Sequence, residues 1–160
     1  MKERCPICGS ESDLQFLPYT IPHFGDAILF VATCPACGFR STDVRILSEI
    51  KDKPKRYELV VSSVHDLNVR VIRSSYGRIE IPELGVNVEP REGESFISTV
   101  EGVLKRVERV VEMLGRALEG EKKRRAARIL EEIEAIKLGK ASMTLIIEDP
   151  TGNSAIIYDD

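Results

Sequence analysis

Apolar residues along this chain follow different periods in different stretches, and each period marks its own kind of element. In the first third they come as short runs. Leu14 to Leu17, Ala27 to Thr33 and Phe39 to Leu47 read as strands. From Tyr57 the texture is β throughout: Tyr57 to Val64, Asn68 to Ser74, Arg78 to Ile81 and Val86 to Val88 are rich in β-branched residues. Gly77, Pro82, Gly85 and Pro90 punctuate them at turn-like intervals. The period then lengthens. Val100, Val103, Leu104, Val107, Val110, Val111, Leu114 and Leu118 make one helical stripe, opened by Ser98-x-x-Glu101 in the pattern of a capping box. The stripe breaks around Glu119-Gly120. Ala126, Ile129, Leu130, Ile133 and Ile136 form a second, and Gly139 suits a left-handed helix end. Met143 to Ile147 and Ala155 to Tyr158 return to strand.

These periods divide the chain into a module over residues 1–50, a linker over 51–56 and a β domain over 57–160. The linker, Lys51-Asp52-Lys53-Pro54-Lys55-Arg56, is charged, contains proline and has no apolar period, so two separate cores are expected on either side of it. A helical hairpin at about 98–139 is inserted in the β domain, whose flanking strands then share one sheet system. The fold class is α+β, mostly β.

Cysteine placement adds chemistry to the first module. All four cysteines stand in two matched pairs, Cys5-Pro6-Ile7-Cys8-Gly9 and Cys34-Pro35-Ala36-Cys37-Gly38, with 25 residues between Cys8 and Cys34. One pair cannot close a tetrahedral site, whereas two pairs complete a Zn²⁺ site of four thiolates. Two disulfides would suit a small secreted scaffold, and a redox motif needs only one pair in a βαβ setting. Four thiolates saturate the metal and leave no position for water or substrate, so this single zinc is structural. Its role is to fold a segment too small to bury enough apolar surface alone.

Composition is globular, 42% hydrophobic and 31% charged, and 23 basic residues nearly balance 26 acidic ones. Such a balance gives no general attraction to nucleic acid or to an anionic membrane. Within residues 1–50, four basic side chains (Lys2, Arg4, Arg40, Arg45) face six acidic ones, which argues against phosphate contact by the metal module. The apolar run Ala27 to Ala32 is too short to span a bilayer, and Met1-Lys2-Glu3-Arg4 leads straight into the metal motif, so a cytoplasmic location is expected.

Three other patterns have a structural reading. Lys122-Lys123-Arg124-Arg125 points most of the way round a helix rather than along one face, with acids nearby and no aromatics between. Ser63, His65 and Asp66 lie too close in sequence to converge as a catalytic triad. Gly139-Lys140-Ala141-Ser142 lacks the upstream glycine and the Lys-Ser/Thr pair of a phosphate loop. His23 and His65, the only histidines, fall in different modules, which leaves no facial triad for iron; His23 is expected to pack near a knuckle. No catalytic residue set is found, and the chain is not read as an enzyme.

Several stretches together resemble the ZPR-type zinc finger proteins, in the single-module form of archaeal relatives. They are the two CPxCG knuckles, Ile21-Pro22-His23-Phe24, Cys37-Gly38-Phe39-Arg40-Ser41 and Arg78-Ile79-Glu80-Ile81-Pro82-Glu83-Leu84. Thr99-Val100-Glu101-Gly102 and the run from Thr144 through Asp149-Pro150-Thr151-Gly152-Asn153-Ser154 follow in the same order. The resemblance implies a C4 zinc finger followed by a double-stranded β-helix, or jelly-roll-like, domain bearing the helical hairpin. It also implies a protein partner, a GTPase of the translation elongation factor 1-alpha type, which the chain would bind and help to fold. The alternative is a nucleic-acid-binding zinc ribbon acting in transcription or translation. Phe39 and Arg40, just after the second knuckle, are the candidate partner contacts, being residue types that anchor interfaces. Equally, Phe39 can pack between module and domain while Arg40 pairs with an acid. Asp149, Gly152 and Asn153 read as a shaped turn: an acceptor for nearby amides, a positive φ and a residue tolerant of left-handed geometry.

Overall fold

The computed structural model describes residues 1–21, 25–47 and 53–158. Its first part is a four-stranded antiparallel sheet of β1 (Lys2–Arg4), β2 (Glu11–Ile21), β3 (Gly25–Thr33) and β4 (Arg40–Ile46), in that spatial order. β2 is far longer than the run Leu14 to Leu17 and passes through Pro18. β1 covers β2 only from Glu11 to Asp13, so Pro18 lies where β2 is an edge, the place a strand proline costs least. Alternation gives the sheet one apolar face. Ala27, Leu29 and Val31 of β3 and Val44 and Ile46 of β4 are buried, while Asp43 and Arg45 face solvent.

The second part is a jelly roll of two sheets. β5 (Lys55–Val61), β10 (Met143–Asp149), β7 (Arg78–Ile81) and β8 (Val86–Val88) form one, in that order; β11 (Ala155–Ile157), β6 (Arg70–Arg73) and β9 (Phe96–Thr99) form the other. β10 thus returns between β5 and β7, and β11 beside β6, which places the strands after the hairpin among those before it. The hairpin itself is α1 (Val100–Gly115) and α2 (Glu121–Lys137). Val100, Val103, Leu104 and Val107 of α1 and Ile133 and Ile136 of α2 join the sandwich core with Leu145 and Ile147 of β10. Lys137 of α2 donates to Glu108 of α1 at 2.8 Å and ties the two helices at their inner end.

Several expected boundaries move. Lys55 and Arg56 belong to β5 rather than to a linker, because they pair with Asp149 and Glu148 of β10; Lys51 and Asp52 lie outside the described residues. Val64 leaves the strand expected through it and opens a short 3-10 helix, Val64–Asn68. The helix start shifts by one residue. Ser98 stays paired with Val71 in β9, and Thr99 caps α1 by accepting from the Gly102 amide at 3.1 Å. Gly139 does take a positive φ, 76°, just past the end of α2.

The expectation of two separate cores is corrected. The apolar face of the metal sheet packs with Ile72 of β6 and Ala155 and Ile157 of β11 in one buried cluster. Polar contacts pin the same seam. Thr42 of β4 donates to the Gly93 carbonyl at 2.7 Å and accepts from the Ser95 amide at 2.9 Å, and Ser75 donates to the Asp43 carboxylate. The fourth contact comes from the turn between β10 and β11, where Asn153 Oδ1 accepts from the Ile46 amide at 3.2 Å.

That turn is built around a buried carboxylate. Asp149 Oδ1 accepts from the amide and hydroxyl of Thr151 at 2.8 and 2.7 Å, and its Oδ2 accepts from the hydroxyls of Ser74 and Ser154. Burial works to raise the Asp149 pKa, but these hydrogen bonds outweigh it and hold the group below its ordinary value. Gly152 has φ 76°, and a Cβ there would stand 2.5 Å from the Lys53 carbonyl oxygen. Gly152→Val is therefore expected to lower stability by roughly 2–4 kcal/mol, from left-handed strain plus the clash, read as a urea midpoint. For Asp149 the depressed folded pKa contributes stability above the unfolded value of about 3.9, and that contribution disappears as pH falls through the folded value. Asp149→Asn is expected to be less stable at neutral pH and to lose less between neutral and acid; an unchanged acid limb would remove Asp149 as its source.

Candidate metal centre

Each Cys-x-x-Cys segment closes as a tight turn held by the same two backbone bonds. In the first, Cys5 N donates to Ser10 O at 2.8 Å and Gly9 N to Cys5 O at 3.0 Å. In the second, Cys34 N donates to Phe39 O at 2.8 Å and Gly38 N to Cys34 O at 2.9 Å. Gly9 and Gly38 take φ of 75° and 80° with open space where a Cβ would stand, so glycine is required there by backbone conformation and not by crowding. The turns leave β1 and β3 and return into β2 and β4, so the strand pairing brings the two motifs face to face.

All four Sγ atoms lie within 4.8 Å of one another. Cys5 and Cys37 are 3.7 Å apart and Cys8 and Cys34 3.6 Å, close to the roughly 3.8 Å that tetrahedral Zn–S bonds of about 2.3 Å impose. Sulfurs at these separations are not disulfide-bonded, and all four thiols are free. The donor set is all sulfur, soft and tetrahedral, which fits zinc and leaves no open position. Cys5, Cys8, Cys34 and Cys37 are thus placed to hold a single zinc ion. Cys5 and Cys34 are buried and Cys8 and Cys37 exposed, so each motif gives one inner and one outer ligand.

Neighbouring groups prepare the thiolates unequally. Ser10, first through its hydroxyl and then its amide, holds the Cys8 thiol down at about 6. The Phe39 amide pulls Cys37 the same way, yet burial and the three other sulfurs push it up to about 12. Four thiols this close cannot all ionise without a cation among them, and a divalent metal is what resolves the repulsion. The Ile7 amide donates to Cys5 Sγ at 3.4 Å. The role of Ser10 is not drawn from the cysteine spacing, although a serine directly after the motif is its visible signal.

The other residues singled out above fall in different places. Phe39 is half-buried beside the second motif. Arg40 opens β4 opposite Thr33 and is exposed, with no ion-pair partner among the described residues. Ile7, which sequence reasoning did not pick, stands 71% exposed at the tip of the first motif, where the second carries only Ala36. The segment around Pro22, His23 and Phe24 lies outside the described residues. Asp66 accepts from the amides of Ser62 and Ser63 at 2.9 and 3.1 Å, so the Ser-His-Asp run is the entry to a 3-10 helix and not a triad. Lys122 to Arg125 form the solvated start of α2, with Arg124 paired to Glu121. No helix among the described residues is long and apolar enough to cross a membrane.

A sheet that clasps four thiols between paired knuckles, set in front of a jelly roll, defines a zinc finger protein in which the metal organises structure. The chain matches the ZPR1 zinc-finger domain over residues 1–52 and the ZPR1 jelly-roll domain over residues 65–160. It belongs to the ZPR1 family. An uncharacterized ZPR1-like protein of Pyrococcus horikoshii is 42% identical over 160 residues, covering 96% of this chain and 71% of the relative. A second, from Methanocaldococcus jannaschii, is 43% identical over 157 residues, covering 96% and 78%. The zinc finger chaperone zpr1 of Schizosaccharomyces pombe is 30% identical over 157 residues, covering 94% of this chain but only 34% of that protein. The chain therefore spans about a third of its eukaryotic relatives.

Metal removal is expected to reach beyond the finger, because its sheet shares a core with the jelly roll. Cys5→Ser or a strong chelator should release one zinc per chain and also lower the thermal midpoint of the whole chain. Elemental analysis and calorimetry check this. An unchanged jelly-roll transition after complete zinc loss would show that the seam does not couple the two parts.

Proposed function

We propose that this chain is a zinc-stabilised protein-interaction factor that binds a GTPase of the translation elongation factor 1-alpha type in the cytoplasm and assists its folding. The observation that carries the reading is membership of a family in which the fission yeast relative bears the name of a chaperone. The choice of GTPase rests on the resemblance of the motifs from Cys5 to Ser154. A saturated metal site offers no Lewis-acid position, so the finger's contribution is a rigid surface rather than a reaction, in keeping with a non-catalytic role.

Phe39 and Arg40 are the proposed contacts. Arg40 is a cation with no ion pair among the described residues, on a strand end beside the metal turn. Phe39 is half-buried next to it, so both backbone positions are set before a partner arrives. Ile7, exposed at the neighbouring knuckle tip, extends the same end of the sheet. The turn holding Asp149, Gly152 and Asn153 is proposed to act structurally, since its polar atoms are engaged inside the chain.

The test is refolding of the purified GTPase with and without this protein, alongside a direct binding measurement. The wild-type chain should raise the refolding yield. Arg40→Ala should weaken binding by about 1–2 kcal/mol, roughly five- to thirtyfold, while leaving the thermal midpoint of the free chain unchanged. No binding and no gain in yield would end the chaperone reading, and tight RNA or DNA binding in its place would establish the nucleic-acid alternative.

A further inference from the structure

A groove of about 1050 Å³ runs between the outer half of α1 and the β8 edge of the first jelly-roll sheet. One wall is the apolar face of α1, where Val103 and Val107 are buried but Val110 and Leu114 stand 49% and 56% exposed. The other wall carries Val86 and Val88. Among the described residues β8 pairs with β7 on one side and with no strand on the other, and Val86 to Glu89 line the groove along that open edge.

The inner end is cationic. Arg106 lies over the Phe96 ring with Cζ 4.3 Å from the ring centroid, and Arg73 lies 5.8 Å from the same centroid. Arg73 is 2% exposed and, among the described residues, donates to carbonyl oxygens alone, those of Gly77, Glu94 and Glu89 at 3.0, 2.9 and 2.7 Å. Carbonyl dipoles hold a guanidinium without neutralising it. The two acids lining the groove are ion-paired with other cations, Glu89 with Arg78 at 3.1 Å and Glu94 with Arg91 at 3.4 Å, and Glu94 offsets only part of the Arg73 and Arg106 charge. Arg40 reaches the groove from β4 with no carboxylate of its own among the described residues. Burial first pushes the Arg73 guanidinium below its ordinary value; the Glu94 carboxylate opposes that fall and the neighbouring Arg106 charge adds to it.

We propose that this groove is a docking site for an extended segment of a partner protein that carries apolar side chains next to carboxylates. The segment adds along β8 by main-chain hydrogen bonds, seats its apolar residues against Val107, Val110 and Leu114, and brings its carboxylates to Arg106 and Arg40. Charge complementarity selects this occupant. A nucleic acid would want Phe96 as a stacking platform, but two guanidiniums already cover that ring. The site shares Arg40 with the proposed GTPase contact but does not rest on that reading, since it is defined by the chemistry of the segment and not by the protein that supplies it.

The experiment selects a displayed random-peptide library on the full zinc-loaded chain and measures the enriched peptides on variants. Enriched sequences should combine acidic and apolar residues, and binding should slow amide exchange at Val86 to Val88. Arg106→Glu and, separately, Val110→Asp should each weaken binding at least about tenfold, while Arg106→Lys retains most of it. Val110 is exposed, so its variant should keep the parent's thermal midpoint and remain informative if Arg106→Glu unfolds. No enrichment, enrichment of basic or uncharged peptides, or affinity that survives both substitutions would overturn the proposal. Self-association abolished by Val110→Asp would overturn it too, by making a second copy the occupant.

Discussion

One apolar seam holds this molecule together. Ala27, Leu29, Val31, Val44 and Ile46 line a single face of the metal sheet, and Ile72, Ala155 and Ile157 of the jelly roll close it. A four-stranded sheet of this size has no second layer of its own, so its buried face must be completed by another element. The metal and the seam then do different jobs. Four thiols fix the strand ends and the register of β1 to β4, and the register decides which residues face the jelly roll. Shifting β3 against β4 by one residue would turn Leu29 and Val31 to solvent. Zinc at one end of the sheet thereby governs packing at the other.

The polar groups along the seam explain why the turn from Asp149 to Ser154 has its particular residues. Asp149 gathers four hydrogen bonds inside the jelly roll, Ser154 bridges it to the Ser74 amide, and Asn153 reaches across to the Ile46 amide of β4. Gly152 lies against the Lys53 carbonyl, where no side chain fits. Burying so many polar atoms is tolerable only if each finds a partner, and among the described residues no buried side-chain nitrogen or oxygen lacks one. The network thus fixes one relative placement of finger and jelly roll, where apolar contact alone would permit sliding.

What could be read in the sequence follows from the range of each interaction. The metal ligands were legible because Cys5-x-x-Cys8 and Cys34-x-x-Cys37 are local patterns with one stereochemical reading. The helix stripes were legible for the same reason, as was Gly139 beyond α2. The shared core was not, since nothing local in Leu29 or Val44 says that Ile157 lies opposite. Lys55 and Arg56 misled because a charged pair beside a proline looks like a linker; their strand state is decided by Asp149 and Glu148 almost a hundred residues later. The cap was one residue off because Ser98 and Thr99 are equally good caps, and the choice falls to the strand pairing of Ser98 with Val71. Asn153 was seen as a turn residue from its neighbours, whereas its contact with Ile46 is a long-range fact.

Net charge shows the same limit from another side. A chain with formal charge −3 has no overall attraction for anions, and that average correctly describes its far field. At contact distance the average fails, because the acids are already distributed. Glu89, Glu94, Glu121 and Glu108 each answer a neighbouring cation. Arg73, Arg106 and Arg40 line the groove with no ion pair among the described residues, the Glu94 carboxylate offsetting only part of the charge of the first two. For Arg73 the arrangement is built in: its three carbonyl ligands come from residues 77, 89 and 94, so the loops between β6 and β9 fold around the cation and carry it to the groove floor. A carboxylate in that position would organise the same loops and cancel the charge. Carbonyls organise them without an ion pair, so the charge at the groove floor is offset only in part, by the nearby Glu94 carboxylate.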